Sequence, residues 1–93
     1  ATRVPLLPDV LELISQGMLT RGDKNNRTYV GQTVKIGGTV SEAMQSALYD
    51  PQTAGGLLIS IEAEKGDDFV RTVPGSQIVG SVTERTTFLI EVS

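Results

Sequence analysis

A short stretch at residues 50–56 contains the groups of this chain that are best suited to binding an anion. The pair Gly55-Gly56 lets a ligand approach the backbone closely, and exposed amides there can cradle a phosphate group. Thr53 adds a hydroxyl donor two residues earlier. An isolated glycine pair more commonly satisfies a tight turn packed beneath a helix. Asp50 has a similar structural interpretation, because an aspartate before proline often fixes its turn by bonding backbone amides.

The composition restricts the chemistry further, because the chain has no cysteine and no histidine. Disulfides, thiolate nucleophiles, imidazole bases and the common zinc ligand sets are therefore excluded. Carboxylates, lysines and hydroxyls remain, but they are not grouped into a recognisable catalytic set. The net charge is -3 and the eight basic residues are spread thinly, so no basic face predicts a nucleic-acid partner.

The remaining charged residues are predicted to lie on the surface. Isolated lysines in polar stretches are usually solvated, although each is a phosphate ligand in principle; these are Lys24, Lys35 and Lys65. A group of acidic residues suggests either a metal site or an exposed acidic first turn of a helix, and we favour the helical turn. Its members are Glu64, Asp67 and Asp68.

Length and hydrophobicity indicate one domain over residues 1–93, with 39% hydrophobic and 20% charged residues. No apolar run approaches the length of a transmembrane helix, and the first residues lack the apolar run of a signal peptide. We therefore expect a cytoplasmic protein with no membrane partner. The apolar residues 4–7 at the start of the chain suggest that a strand or linker precedes them.

Three segments combine helical spacing of apolar residues with stop signals. The first ends at Gly17, the second ends at Asp50-Pro51, and the third ends at Pro74-Gly75. The second also has a capping-box pattern, which would make Thr39 its N-cap and place Glu42 at the reciprocal position. The predicted helices cover residues 8–16, 39–48 and 64–73.

The other segments are predicted to be a loop and four strands. Residues 19–26 are rich in turn-forming types and predict a loop with an organised backbone. Residues 29–36 alternate weakly and fit a strand or an irregular extended segment, and residues 57–61 suit a buried central strand. Residues 78–84 and 87–92 have a β-rich composition and are predicted to pair as a hairpin. The resulting order predicts an α+β fold, a layered α/β sandwich with a mixed sheet covered by helices.

The full string Asp-Pro-Gln-Thr-Ala-Gly-Gly-Leu-Leu at residues 50–58 resembles the signature of the carboxy-terminal domain of selenophosphate synthetases (selenide, water dikinases). The family has a serine where this chain has Ala54. Other stretches resemble the family in the same order, so that the resemblance covers essentially the whole chain. They are Val4-Pro5-Leu6-Leu7-Pro8 before a helix with Glu12-Leu13, Gly22 followed by Asn26-x-x-Tyr29, and Ile78-Val79-Gly80-Ser81-Val82.

This resemblance implies a superfamily shared with aminoimidazole ribonucleotide synthetase. In it, an amino-terminal domain dimerises and binds Mg-ATP, and a carboxy-terminal α/β domain packs beside it. The family converts ATP, selenide and water into selenophosphate, AMP and phosphate. Its reactive cysteine or selenocysteine, its lysine and its metal-binding aspartates lie in the amino-terminal region. The chain is accordingly expected to be a carboxy-terminal part of a two-domain enzyme, inactive by itself and without a bound cofactor.

By carry-over from the family motif, the candidate phosphate or ligand loop contains Asp50, Gln52, Thr53, Gly55 and Gly56. Asn26 and Tyr29 are secondary candidates, and we favour structural roles for both. These roles are a left-handed turn for Asn26 and packing over the sheet for Tyr29. No catalytic residue and no metal ligand is predicted in the chain.

Two alternatives to a synthetase remain open. One is another member of the superfamily, such as a relative of aminoimidazole ribonucleotide synthetase or thiamine-monophosphate kinase, although the Asp-Pro-Gln-Thr string disfavours it. The other is a non-catalytic binding or assembly module, which the replacement of the family serine by Ala54 leaves possible. An upstream glycine-rich segment with a cysteine or selenocysteine followed by a lysine would identify the synthetase.

Overall fold

The computed structural model of the chain describes residues 1–52 and 54–93, in which helices and a small sheet occur together. This mixture of α and β structure agrees with the predicted α+β class. The helices are α1 (Val10–Ser15), α2 (Arg21–Val30), α3 (Glu42–Tyr49) and α4 (Gly66–Thr72), and the strands are β1 (Val34–Ile36) and β2 (Ile90–Val92). Short 3-10 turns lie at Gly31–Thr33 and Ala63–Lys65.

Helix α1 confirms the first predicted helix, with a start two residues later than expected. Its end is a Schellman motif, in which the Gly17 amide donates to the Ile14 carbonyl and the Met18 amide to the Leu13 carbonyl, at 2.9 and 3.1 Å. Gly17 has a φ of 86°, a left-handed conformation that glycine adopts without a Cβ penalty. The predicted stop at Gly17 is therefore confirmed.

Helix α2 corrects the predicted loop at residues 19–26, which was wrong. The segment is rich in weak helix formers, including Gly22, Asn25 and Asn26, so local propensity argues against a helix. Contacts with α3 stabilise it instead. The predicted strand at residues 29–36 is wrong in its first half, because Tyr29 and Val30 complete α2 and the extended backbone begins at Val34.

Helix α3 confirms the second predicted helix and contributes most of the core. Its N-cap is Ser41, whose hydroxyl accepts from the Met44 amide at 3.2 Å, so the capping box predicted at Thr39 was wrong. Met44 and Ala47 are buried together with Val40, which precedes the helix. The helix ends at Tyr49 because Asp50 is extended ahead of Pro51, as predicted.

The sheet consists of β1 and β2, which pair in parallel with Val34 opposite Ile90 and Ile36 opposite Val92. The hairpin predicted between residues 78–84 and 87–92 is therefore wrong, and within the described residues this two-stranded sheet stands in place of the predicted mixed sheet. The intervening residues 84–86 lack the glycine or asparagine that tight hairpin turns require.

The predicted buried central strand at residues 57–61 is also wrong. The segment belongs to no strand, and Leu57 and Leu58 are 87% and 88% exposed. An apolar composition does not make a strand unless a neighbouring edge accepts its backbone hydrogen bonds. Further along the chain, α4 confirms the third predicted helix, and Asp67 and Asp68 lie in its first turn as expected. No helix in the described part of the chain is long and apolar enough to cross a membrane.

Candidate functional site

The turn that leaves α3 is held by the first residues of α2. The Thr20 hydroxyl donates to Asp50 Oδ1 at 2.8 Å, across thirty residues of sequence. Thr20 is the N-cap of α2, but its side chain makes no capping hydrogen bond to that helix. Asp50 was expected to fix its turn by bonding nearby backbone amides. The bond seen in the described residues is instead to the side chain of Thr20, which is distant in sequence.

Gly22 lies directly against the proline of the same turn. A Cβ added at Gly22 would lie 2.6 Å from Pro51 Cδ, which is closer than any real contact of this kind. The absence of a side chain therefore allows α2 and the Pro51 ring to approach each other. Gly22 has a helical φ, so its role is close packing and not unusual backbone geometry.

Asn26 makes the third contact between α2 and this turn. Its Nδ2 donates to the Tyr49 carbonyl oxygen at 2.7 Å in a part-buried position. The Tyr49 carbonyl is one of the last four of α3, which have no partner inside the helix. Asn26 is thus helical, and the left-handed turn expected for it was wrong. Tyr29 is 90% exposed, so the expected packing of its ring over the sheet was also wrong.

A buried polar network lies behind these contacts. Asp23, which is only 7% exposed, accepts from Arg27 Nε at 2.7 Å and from the Ser46 hydroxyl at 3.0 Å. Arg27 also donates to Ser46 Oγ at 2.9 Å, and its guanidinium lies 4.7 Å from the centroid of the Tyr49 ring. No pattern in the sequence predicted this network. Its one signal was the i,i+4 spacing of Asp23 and Arg27, which is informative only inside a helix.

The remainder of the candidate loop is exposed. Gln52, Gly55 and Gly56 all lie on the surface. A Cβ added at Gly55 would lie 2.5 Å from Gln52 Oε1, whereas one added at Gly56 would meet open space. The Gln52 side chain therefore folds over Gly55 and leaves the Gly56 backbone accessible. Thr53, the hydroxyl predicted for this site, lies outside the described residues.

The structure thus joins Asp50 and Asn26 at one turn, and it places the glycine pair just beyond. Exposed backbone amides and the Gln52 carboxamide NH2 can donate hydrogen bonds to an anionic ligand, but they supply neither a nucleophile nor a strong base. Among residues 1–52 and 54–93, no group of three acidic side chains is placed to hold a metal ion.

The clearest electrostatic perturbation lies away from this loop, on the sheet. Lys35 Nζ lies 3.1 Å from Glu91 Oε2, at a position where the two residues face each other across β1 and β2. The hydrogen bond from Lys35, reinforced by its positive charge and by a hydrogen bond from Thr86, holds the pKa of Glu91 below its ordinary value. The pair links the two strands of the sheet.

Comparison with known proteins identifies relatives of one kind. The chain is 34% identical over 87 residues to a selenide, water dikinase of Clostridioides difficile. The aligned segment covers 88% of the chain and 25% of that protein. It is 36% identical over 89 residues to that of Pelobacter propionicus, covering 90% of the chain and 26% of the relative. It is 33% identical to that of Treponema denticola over an alignment of 99 positions, which covers 97% of the chain and 28% of the relative.

No protein-family model matches the chain, and no solved structure matches it significantly. The chain spans about a quarter of the length of the curated relatives that it matches. By this similarity the chain belongs to the selenide, water dikinase family, as the motif at residues 50–58 predicted.

Proposed function

We propose that the chain is the carboxy-terminal domain of a selenide, water dikinase, an enzyme that makes selenophosphate from ATP, selenide and water and releases AMP and phosphate. The similarity to relatives of that name over about nine-tenths of the chain carries this proposal. The motif at residues 50–58, which lies within the matched segment, agrees with it. In the parent protein, meaning the longer protein that we propose contains this chain, the domain has the fold of the aminoimidazole ribonucleotide synthetase carboxy-terminal domain.

In this proposal the chain contributes binding groups and not the reacting ones. The exposed backbone at Gly55 and Gly56, with Gln52 and Thr53, faces phosphate groups of ATP or of the products, and Asp50 anchors the loop. The catalytic residues and the magnesium site lie in the amino-terminal ATP-binding domain, against which this domain packs within a homodimer.

The test is formation of AMP from ATP by the purified parent protein, measured with and without selenide. The proposal predicts AMP that depends on selenide, with selenophosphate formed in equal amount. Ala54→Ser restores the serine of the family motif, and we expect it to retain or increase this activity. A folded parent protein that makes no selenide-dependent AMP would overturn the synthetase assignment.

The second candidate is a non-catalytic or divergent relative, and the observation that favours it is Ala54. If the family serine contacts phosphate, its loss removes one hydroxyl donor from the loop. A divergent relative would still bind nucleotide or phosphate but would leave selenide unreacted. Binding of ATP without selenide-dependent AMP formation therefore separates this candidate from the first.

A further inference from the structure

The last residue of α3 and the two residues that follow it are each held by a different residue of α2 or its N-cap. The Tyr49 carbonyl is bound by Asn26, the Asp50 carboxylate is bound by Thr20, and the Pro51 ring packs against Gly22. From Gln52 onward the described loop residues are exposed. Burial therefore does not position these described residues, and the anchored residues at the base constrain the direction in which the chain leaves α3.

Asn26 is the strongest of these anchors on physical grounds. Its bond to the Tyr49 carbonyl is part-buried, whereas the bond between Thr20 and Asp50 is exposed, and a bond shielded from water contributes more. The Tyr49 carbonyl also belongs to the peptide plane that joins α3 to Asp50. Fixing this oxygen fixes that plane, and thereby the direction in which the chain leaves the helix.

We infer that Asn26 is a positioning residue for the loop at residues 52–56. One N–H of its Nδ2 donates to the Tyr49 carbonyl, and through this bond Asn26 acts on a ligand by way of the loop backbone. The effect of Asn26 on the backbone conformation of Gly55 and Gly56 does not depend on any reaction. The consequence for catalysis rests on the proposed function.

The first test uses the 93-residue chain and a matched pair of substitutions. Asn26→Asp replaces the donor with a carboxylate oxygen, which cannot bond to a carbonyl, and Asn25→Asp makes the same chemical change on an exposed neighbour. Backbone amide resonances of Gly55 and Gly56 are compared with those of the unmodified chain. We expect clear shifts in Asn26→Asp and much smaller ones in Asn25→Asp. Equal shifts, or none, would overturn the positioning role.

If Asn26→Asp fails to fold by circular dichroism, Asn26→Ser provides the same comparison without a new charge. The serine hydroxyl is too short to reach the Tyr49 carbonyl, so the Gly55 and Gly56 resonances should again move. Resonances that stay in place in a folded Asn26→Ser chain would equally reject the inference.

The second test uses selenide-dependent AMP formation by the parent protein. Asn26→Asp should lower kcat roughly tenfold, the rate equivalent of one hydrogen bond, while KM for selenide stays unchanged. Asn25→Asp should match the wild type. If the wild type is active and the folded Asn26→Asp variant keeps its kcat, the catalytic part of the inference is wrong. If the wild type itself is inactive, the proposed function fails, and the resonance comparison alone decides the positioning role.

Discussion

The hydroxyl of Thr20 lies 2.8 Å from Oδ1 of Asp50 and connects the residue before α2 to the residue that follows α3. Thr20→Val keeps the shape of the side chain but removes the hydroxyl. We expect a loss of about 0.5–1 kcal/mol in the free energy of unfolding, because the bond is exposed. Urea unfolding measures this loss.

Thr20→Ser retains the hydroxyl and serves as the control for this substitution. It should unfold at nearly the same urea concentration as the unmodified chain. If Thr20→Val and Thr20→Ser are equally stable, the hydrogen bond to Asp50 does not stabilise the turn.

The buried network around Asp23 should matter more than any surface ion pair. Asp23→Ala leaves the Arg27 guanidinium without its carboxylate partner and removes an acceptor from Ser46, so we expect a loss of about 2–3 kcal/mol. Asp68→Ala breaks the exposed pair with Arg71 and should cost less than about 1 kcal/mol. Similar losses in the two variants, measured by urea unfolding, would refute the structural importance of the network.

Two helical glycines should respond in opposite directions to alanine. Gly22→Ala gains about 1 kcal/mol of helix propensity, but its Cβ would overlap the Pro51 ring, and such overpacking costs about 1–3 kcal/mol. Gly66 has a helical conformation, and a Cβ there would lie 3.4 Å from Ile78 Cδ1, an ordinary contact. We therefore expect a lower melting temperature for Gly22→Ala and an equal or higher one for Gly66→Ala. A stabilised Gly22→Ala chain would contradict the close approach of α2 to Pro51.

The ion pair of Lys35 and Glu91 should make the free energy of unfolding depend on pH. Because the folded-state pKa of Glu91 is lowered by Lys35, its contribution is present above the ordinary glutamate pKa and is lost as pH falls through the lowered value. Lys35→Met should reduce the loss of stability between about pH 5 and about pH 2. Lys24→Met removes an exposed lysine of α2 and should leave that loss unchanged. Identical pH profiles for the two variants would argue against the pair.

Local patterns predicted the helices whose ends carry strong signals. Gly17 and Asp50-Pro51 stop α1 and α3 by backbone geometry that depends only on neighbouring residues, and both predictions were correct. The N-cap of α3 was misplaced because Thr39 and Ser41 are both good capping residues, and only the structure distinguishes them. Where two nearby residues can each cap a helix, the packing of the rest of the chain decides which of them does.

The errors concern segments whose conformation depends on distant partners. Helix α2 contains weak helix formers, and bonds from Asn26 and Arg27 to α3 and its end hold it in place. Strand β2 pairs with β1 across more than fifty residues, which no local pattern specifies. The motif predicted Asp50 and the glycine pair as one site and Asn26 as a secondary member. It gave no indication that Asn26 binds the carbonyl just before Asp50.

The most direct measurement is selenide-dependent AMP formation by the parent protein with both loop glycines replaced. Gly55→Ala/Gly56→Ala should lower kcat/KM by about tenfold or more in a folded protein, because added side chains obstruct the exposed amides. Gly38→Ala is the control matched to Gly56, since a Cβ at either of these exposed glycines would meet open space, and it should have the activity of the wild type. Wild-type protein that forms AMP only with selenide, and loses that activity in the double variant, is the predicted result. A folded wild type without selenide-dependent AMP, or a double variant of undiminished activity, would contradict the account.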